Sequence, residues 1–481
     1  MLLIPILLPI IGGVFVFRQR DEKIRNRLVL WLTIATAAAA AALCVLPERS
    51  LRLMTIEGAL YLAVQSDSLA KFFMVLIVVI WLPVAVFAGA YLRHAGRGQQ
   101  FQGFYTMTLG VLMGLALADN FVTLYMFFEM MSLLTMPLVL HGGTPAARRA
   151  GLKYLGYSVF GAGMALAGYF FLSHYLVDQS FTGGGALNLS LAAEHRPLLL
   201  IVFLVMMIGF GAKAGMMPMQ AWLPTAHPVA PAPASAVLSG VITKGGVLAM
   251  IRVTYYLFGP DFLRGSWAQY TLIGLALCTV FTGSMLALKE KVLKKRLAYS
   301  TISQVSYVQF GLLLMTPGGM RGAFLQMVFH ALAKDALFLA AGAIIIATNF
   351  TLVDQLVGIG KRMPRTMVCF SAAALSIIGI PPMSGFISKW HLASAALNCE
   401  SRMVGYLGMA MLILSALMTA GYLLPIVVRG FFPGRDVLVE RREVGPQMTA
   451  PMMALGAAVL ILGLFPNGLQ AWISAILPQI F

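Results

Sequence analysis

The fold is decided by residues 209–246, which read GFGAKAGMMPMQAWLPTAHPVAPAPASAVLSGVITKGG. Two apolar runs, one ending near Lys213 and one containing Lys244, flank a segment rich in proline and glycine. Proline removes a backbone donor and glycine tolerates irregular torsions, so this segment predicts a helix that breaks. Irregular backbone persists inside a membrane only where it is buried in protein or lines a wet cavity. The pattern therefore predicts a broken span with a lysine beside the break.

The composition indicates a polytopic membrane protein. Of 481 residues, 60% are hydrophobic and 11% are charged, and the mean hydropathy is +0.87. Soluble domains carry about 25% charged residues. Apolar runs near the length of a membrane helix recur along the chain, and the alternation of a β-barrel strand is not seen. The predicted fold class is all-α, and residues 1–17 are interpreted as an uncleaved first span.

Apolar runs predict fourteen spans. They cover residues 1–17, 28–46, 72–92, 102–118, 120–140, 152–176, 198–225, 233–257, 269–288, 297–315, 322–347, 366–396, 403–428 and 448–475. The odd-numbered loops hold 22 lysines and arginines, including Arg435, and the even-numbered loops hold 8. Because basic residues collect on the cytoplasmic side, this asymmetry predicts that both termini lie outside. The net charge of +17 is then a topology signal, and no nucleic-acid partner is expected.

Four lysines remain inside predicted spans: Lys213, Lys244, Lys334 and Lys389. A lysine at the centre of a membrane helix costs about 2.5–3.5 kcal/mol, and charges at this depth usually mark an ion or proton path. Glu129 lies within the fifth span and has no basic neighbour in sequence. We predict that it pairs with Lys213 and that this pair gates the path; the alternative is a purely structural ion pair.

The eleventh span contains FHALAKDA, in which His330 and Lys334 are four residues apart and share one helix face. Imidazole titrates near pH 6.5, so these two side chains predict a proton relay. The alternative for His330 is a structural hydrogen bond between helices. Lys389 follows IPPMSG, a second predicted break, although it could instead extend to a membrane interface.

The two breaks fall in spans seven and twelve and predict two inverted five-helix repeats, spans 4–8 and 9–13. The predicted organisation is residues 1–98 with three spans, 99–260 and 261–430 with one repeat each, and 431–481 with a cytoplasmic loop and span fourteen. Lys213 precedes its break and Lys389 follows its own, so two related half-channels are expected rather than two identical ones.

Several motifs together resemble the proton-translocating antiporter-like subunits shared by respiratory complex I, membrane-bound hydrogenases and Mrp-type Na⁺/H⁺ antiporters. They are KAGMMPMQAWLPTAHPVAPAPASAVLSGVITK, KKRLAYSTISQVSYV, HALAKDALFLAAG and GIPPMSGFISKW. The resemblance covers about residues 100–430. It implies a proton path at Glu129, Lys213, Lys244, His330, Lys334 and Lys389. His227 matches a further family histidine, whereas Asp335 departs from the family's pattern.

The expected function is proton translocation, or Na⁺-coupled transport, by a subunit of a complex I-related redox complex in a bacterial or archaeal cytoplasmic membrane. The alternatives are an Mrp-type antiporter subunit, a stand-alone solute carrier and a quinone- or haem-binding enzyme. The four cysteines are far apart, so no disulfide, metal or cofactor site and no catalytic residue is expected. Expected partners are sister antiporter-like subunits, peripheral redox subunits and the lipid bilayer.

Overall fold

The computed structural model describes residues 1–57, 60–434 and 440–481. Arg435, which contributes to the count of basic residues, lies outside the described residues. The protein is mostly helical, at 80%. The helices are numbered α1 to α21 along the described part of the chain.

The N-terminal part contains three long helices and one β-hairpin. These elements are α1 (Ile4–Arg18), α2 (Glu22–Val45), β1 (Ser50–Glu57), β2 (Leu60–Gln65) and α3 (Ser68–Ala95). The strands pair antiparallel, with Ser50 opposite Gln65. The hydropathy pattern does not predict the hairpin, because its residues lie between two much longer apolar runs. Asp67 caps α3 by accepting a hydrogen bond from Ala70 N.

The first predicted repeat corresponds to the next group of helices. They are α4 (Gly98–Ala116), α5 (Phe121–Leu140), α6 (Pro145–Leu172), α7 (Leu189–Glu194), α8 (Arg196–Ala214), α9 (Leu223–Val229), α10 (Ala232–Val237), α11 (Thr243–Ile251) and α12 (Pro260–Leu263). Two π-helical segments, Leu238–Ile242 and Arg252–Phe258, continue α10 and α11. Residues Ala232–Phe258 therefore form one helical rod, and it is entirely buried.

The remaining helices follow the same order as the predicted spans. They are α13 (Trp267–Lys289), α14 (Leu293–Leu313), α15 (Pro317–Thr348), α16 (Ile359–Arg362), α17 (Pro364–Ile378), α18 (Ser384–Leu397), α19 (Arg402–Phe431), α20 (Pro446–Leu464) and α21 (Asn467–Ile476). The longest, α15, lies at the centre and packs against α14, α17, α18 and α20.

Glycines allow close helix packing where the site is built. A Cβ added to Gly161 of α6 would collide with the carbonyl oxygen of Gly209 in α8, and the reverse is also true. Small residues at such contacts let membrane helices approach closely. The contact holds the C-terminal half of α8 firmly against α6.

Ten helices in the described residues are long and apolar enough to cross a membrane. Each of the fourteen predicted spans overlaps at least one helix, but the count of fourteen and the inverted repeats stay predictions. The seventh predicted span is interrupted after Ala214, and the twelfth after Ile378. At both points the next residue is a glycine with positive φ, +76° at Gly215 and +94° at Gly379.

Candidate functional site

Lys213 is the penultimate residue of α8 and lies directly before the first break. Its side chain is buried, and Nζ donates hydrogen bonds to Tyr154 Oη at 2.7 Å and Ser158 Oγ at 2.9 Å. Both partners are on α6, which the Gly161–Gly209 contact brings close. Tyr154 Oη is in turn 2.5 Å from Thr135 Oγ1 on α5. Lys213 therefore ends a chain of neutral hydroxyl groups.

Glu129 and Lys213 do not form an ion pair within 4.0 Å in the described residues, so the predicted pair stays a prediction. Across the described ranges, none of the four span lysines has a carboxylate oxygen within 4.0 Å. Glu129 is half-buried on α5, and Lys213 is directed to the hydroxyls of α6 instead. Sequence spacing indicates that a partner must come from another helix, but it does not show which side chains that helix presents.

Lys244 lies in the buried rod, six residues after the start of its first π-helical segment. Its Nζ donates to Ser239 O at 2.5 Å and lies 2.6 Å from His330 Nδ1 on α15. The lysine is 1% exposed and the histidine is 1% exposed. This contact connects the two predicted repeats inside the protein.

His330 and Lys334 lie one turn apart on α15, as the sequence predicts, but they do not hydrogen-bond to each other. Lys334 Nζ donates to Leu297 O of α14 at 3.1 Å. The other imidazole nitrogen, His330 Nε2, is buried without a hydrogen-bond partner among the described residues. The histidine is thus joined to Lys244 on one side and has an unused nitrogen on the other.

Asp335 is fully buried beside this cluster, and neither carboxylate oxygen has a hydrogen-bond partner in the described part of the chain. It faces Gly240, in the π-helical segment, where a side chain would collide with the carboxylate. A buried carboxylate without a hydrogen bond is costly, and such groups concentrate at functional sites. Asp335 therefore belongs by position to the central cluster, which is formed by Lys244, His330 and Lys334.

His227 lies on α9, after the first break, and is fully buried. Its ring stacks on Phe338 of α15, with centroids 4.7 Å apart, and neither ring nitrogen has a hydrogen-bond partner within the described ranges. The imidazole is consequently placed against the same helix that carries His330 and Lys334.

Lys294 is a buried lysine that the hydropathy pattern assigns to a loop. Helix α14 begins at Leu293, before the predicted start at residue 297, so Lys294 lies inside it and is 6% exposed. Its Nζ donates to Ala230 O, in the connection between α9 and α10. A cavity of about 270 Å³ adjoins this lysine. The lining residues include His141, Pro228, Ala230, Lys294 and Thr351.

Lys389 lies on α18, after the second break, and folds back toward it. Nζ donates to Ile377 O at 2.6 Å and Ile378 O at 2.7 Å, the carbonyls that end α17. A cation at a helix C-terminus satisfies unpaired carbonyls and interacts favourably with the helix dipole. The ammonium is thus directed to the break and not to a membrane interface.

Uncharged polar side chains continue the row between the centre and Lys389. Ser388 Oγ donates to Gln326 Oε1 at 2.7 Å, and Gln326 Nε2 donates to Gln304 Oε1 at 3.0 Å. All three side chains are buried. Attention to charged residues alone does not find this connection, although the polar run STISQVSYVQ in an otherwise apolar span is a visible signal.

These features define a class of protein: a helical, multi-pass membrane protein with a buried row of lysine, histidine and neutral polar groups. The chain belongs to the transmembrane family of NADH:quinone oxidoreductases and Mrp antiporters, whose family model matches residues 118–419. The sequence resemblance to antiporter-like subunits is thereby confirmed.

The relatives include subunits of three kinds of complex. The chain is 32% identical to a NADH-quinone oxidoreductase subunit of Desulforudis audaxviator over 83% of this chain and 81% of the relative. It is 30% identical to a hydrogenase-4 component of Escherichia coli over 84% of this chain, which spans only 62% of that longer relative. It is 28% identical to a Na⁺/H⁺ antiporter subunit of Alkalihalophilus pseudofirmus, over 83% of this chain and 79% of the relative.

Solved structures share the fold. A chain of the Mrp complex from Dietzia sp. superposes with a TM-score of 0.85 at 21% identity, covering 100% of this chain and 97% of that one. A chain of respiratory complex I from Thermus thermophilus superposes with a TM-score of 0.83 at 21% identity, and 100% of both chains is covered. The protein is therefore an antiporter-like membrane subunit in fold and family.

Proposed function

We propose that this chain moves protons through its interior as a subunit of a larger redox-driven membrane complex. The observation that carries the proposal is the 2.6 Å contact between Lys244 Nζ and His330 Nδ1. A lysine and an imidazole at hydrogen-bond distance can pass a proton directly. Because this contact crosses between the two predicted repeats, it supplies the connection that two half-channels need.

Protons enter from the cavity beside Lys294. The cavity lies at the end of the bundle that carries the basic loops, which the charge asymmetry predicts to be the cytoplasmic end. From Lys294 the next titratable side chain toward the centre is His227, whose two ring nitrogens are unoccupied by other groups of the described chain. Its stacking on α15 directs the proton to the central cluster of Lys244, His330 and Lys334.

The proton leaves the centre through α14, α15 and α18. Gln304, Gln326 and Ser388 hold hydrogen-bonded positions between the central cluster and Lys389. Amide and hydroxyl groups orient the waters that carry protons, and Lys389 accepts the proton at the second break. We infer that release on the outer side follows from there.

Glu129 acts as a gate only in a second conformation. In the present one Lys213 is held by Tyr154 and Ser158. Rotation of the lysine from these hydroxyls toward α5 would create the ion pair with Glu129 and remove Lys213 from α6. The two arrangements differ in which groups stabilise the charge of Lys213. A neighbouring subunit that contacts one arrangement better than the other can shift the equilibrium between them.

The proposal includes fourteen spans, two inverted repeats, both termini outside, and assembly with sister antiporter-like subunits. The relatives from a NADH-quinone oxidoreductase and from hydrogenase-4 support a redox-driven parent complex. The relative from a Na⁺/H⁺ antiporter favours a second candidate, an antiporter driven by an existing gradient. Proton flux that follows an imposed Na⁺ gradient, without electron transfer, would select the second candidate.

Lys244→Met in the assembled complex tests the proposal. Methionine keeps the length and apolar volume of the side chain but cannot carry a proton. Proton uptake into proteoliposomes, measured per substrate turnover, should fall, while Lys289→Met on the exposed end of α13 should leave it unchanged. Unchanged pumping in Lys244→Met would refute the central connection, and unchanged pumping in Lys213→Ala would refute the gate formed with Glu129.

A further inference from the structure

Three adjoining cavities follow helix α3 from its basic end toward the opposite end. The first, of about 360 Å³, lies where α2, α3 and the start of α20 meet. The second, of about 430 Å³, shares Val86 with the first. The third, of about 190 Å³, shares Val79, Leu332 and Ala458 with the second. Together they form one continuous groove, here called the α3–α20 groove.

The second and third cavities have an apolar lining. Their walls are side chains of α3 and α20, their floor includes Leu332 of α15, and Trp472 of α21 lies at the far end. From Phe72 to Val86 the groove follows 15 residues of α3, a rise of about 21 Å at 1.5 Å for each step from one residue to the next. Such a long, narrow and apolar groove matches a hydrocarbon chain.

The first cavity has the opposite chemistry. Three cationic side chains, Lys23, Arg27 and Arg93, line it together with the amides of Asn26 and Gln447. One acid reduces this charge, because Glu22 Oε1 lies 2.6 Å from Arg93 Nε. Three cations and one acid leave a net charge of +2 at the mouth of an apolar groove. Basic pockets between membrane helices on the cytoplasmic side recognise anionic lipid headgroups.

We propose that the α3–α20 groove binds one anionic phospholipid of the leaflet on the basic-loop side. Its phosphate lies among Lys23, Arg27 and Arg93, and one acyl chain extends along α3 and α20. A lipid accounts for both ends of the groove, because a phosphate headgroup matches the cationic first cavity and one acyl chain matches the apolar second and third cavities.

The position of the groove gives the lipid a role. Leu332 lies on α15 between His330 and Lys334, but its side chain forms the floor of the groove. An acyl chain in the groove therefore covers the outer side of the helix that carries the central cluster. It adds an apolar layer outside Leu332, next to the turn of α15 that carries the buried His330 and Lys334.

Lipid retention by the purified full chain tests the charged end. Native mass spectrometry is performed after exchange into mixtures of phosphatidylglycerol and phosphatidylcholine. We expect phosphatidylglycerol to be retained preferentially, and the double variant Lys23→Gln/Arg27→Gln to weaken this retention about 20–30-fold. The control Arg148→Gln/Arg149→Gln removes the same charge from an exposed helix start elsewhere and should change nothing.

The apolar end is tested by Ala454→Phe, which fills the groove, against Ala457→Phe at an exposed alanine of α20 that does not line the groove. Only Ala454→Phe should lower lipid retention, and its thermal unfolding midpoint should be unchanged. Equal retention of both lipids, or displacement by millimolar inorganic phosphate, would overturn the proposal. So would an Ala454→Phe variant that keeps its lipid but no longer assembles with other subunits, because a partner helix would then be the occupant.

Discussion

The contact between Gly240 and Asp335 provides the sharpest test of the central cluster. A Cβ added to Gly240 would lie 2.7 Å from Asp335 Cγ and 2.8 Å from Oδ2, and closer still to Oδ1. Ordinary contacts of this kind begin at 3.4 Å. The Gly240→Ala variant must therefore move Asp335 or the rod by at least 0.7 Å, the difference between 3.4 and 2.7 Å. Both residues are buried, so no solvent-exposed space accommodates the movement.

Overpacking of this kind costs about 1–3 kcal/mol. A glycine-to-alanine change inside a helix also gains about 0.5–1 kcal/mol when space is open. Gly163→Ala on α6 measures this gain alone, because a Cβ there meets nothing within 4 Å. The difference between the two variants should then be about 1–3 kcal/mol, or roughly 5- to 150-fold in the unfolding equilibrium.

The assay is reversible unfolding of the purified chain in mixed micelles, combined with proton flux in the assembled complex. In a double-mutant cycle, Asp335→Ala removes the atoms that collide and should restore most of the stability that Gly240→Ala loses. Asp335→Asn keeps the size of the side chain and removes its charge, so it should not restore stability. Additive effects of Gly240→Ala and Asp335→Ala, or equal rescue by asparagine, would refute the steric reasoning.

Two further predictions concern charges outside the central cluster. Arg252 is 2% exposed and bonds Asp67 at 2.5 and 2.9 Å, so Asp67→Ala should lower the free energy of unfolding by about 3–5 kcal/mol. The same change at Asp261, in an exposed ion pair, should cost less than about 1 kcal/mol, and equal losses at both sites would contradict the assignment. Lys294→Gln should slow proton uptake from the basic-loop side, whereas Lys295→Gln, on the exposed face of the same helix, should not; stopped-flow flux with a pH dye measures both.

The charged residues of the site are predictable because a membrane makes buried charge conspicuous. The two breaks are also predictable, since proline and glycine act on the local backbone. The hydrogen-bond partners of Lys213 are not predictable from the sequence, because they depend on how closely α6 and α8 pack. The burial of Lys294 is not predicted for a different reason. Helix α14 begins four residues before the predicted start of its span, and this shift moves the side chain from a loop into the interior.

Arg252 and the β-hairpin show the same limit. The count of basic residues assigns Arg252 to a loop although the predicted span 233–257 includes it, and the structure places it in the π-helical segment Arg252–Phe258 of the buried rod. The hairpin at residues 50–57 and 60–65 pairs two short strands that hydropathy alone does not separate from their surroundings. Both depend on pairing or packing between segments, which a single sequence records only indirectly.

The partners of the span lysines have one consequence for how charge moves. Lys213 is bound by hydroxyls, Lys334 and Lys389 by carbonyls, and Lys244 by a carbonyl and an imidazole. Each partner is an uncharged acceptor, so a proton that arrives adds a full positive charge to the interior. Two such charges roughly 10 Å apart repel by about 1.7 kcal/mol at an effective dielectric constant of about 20. In the proposed path, a proton that enters at one end would therefore lower the occupancy of a site at this distance by more than about tenfold, and the repulsion favours release of a proton at the far end.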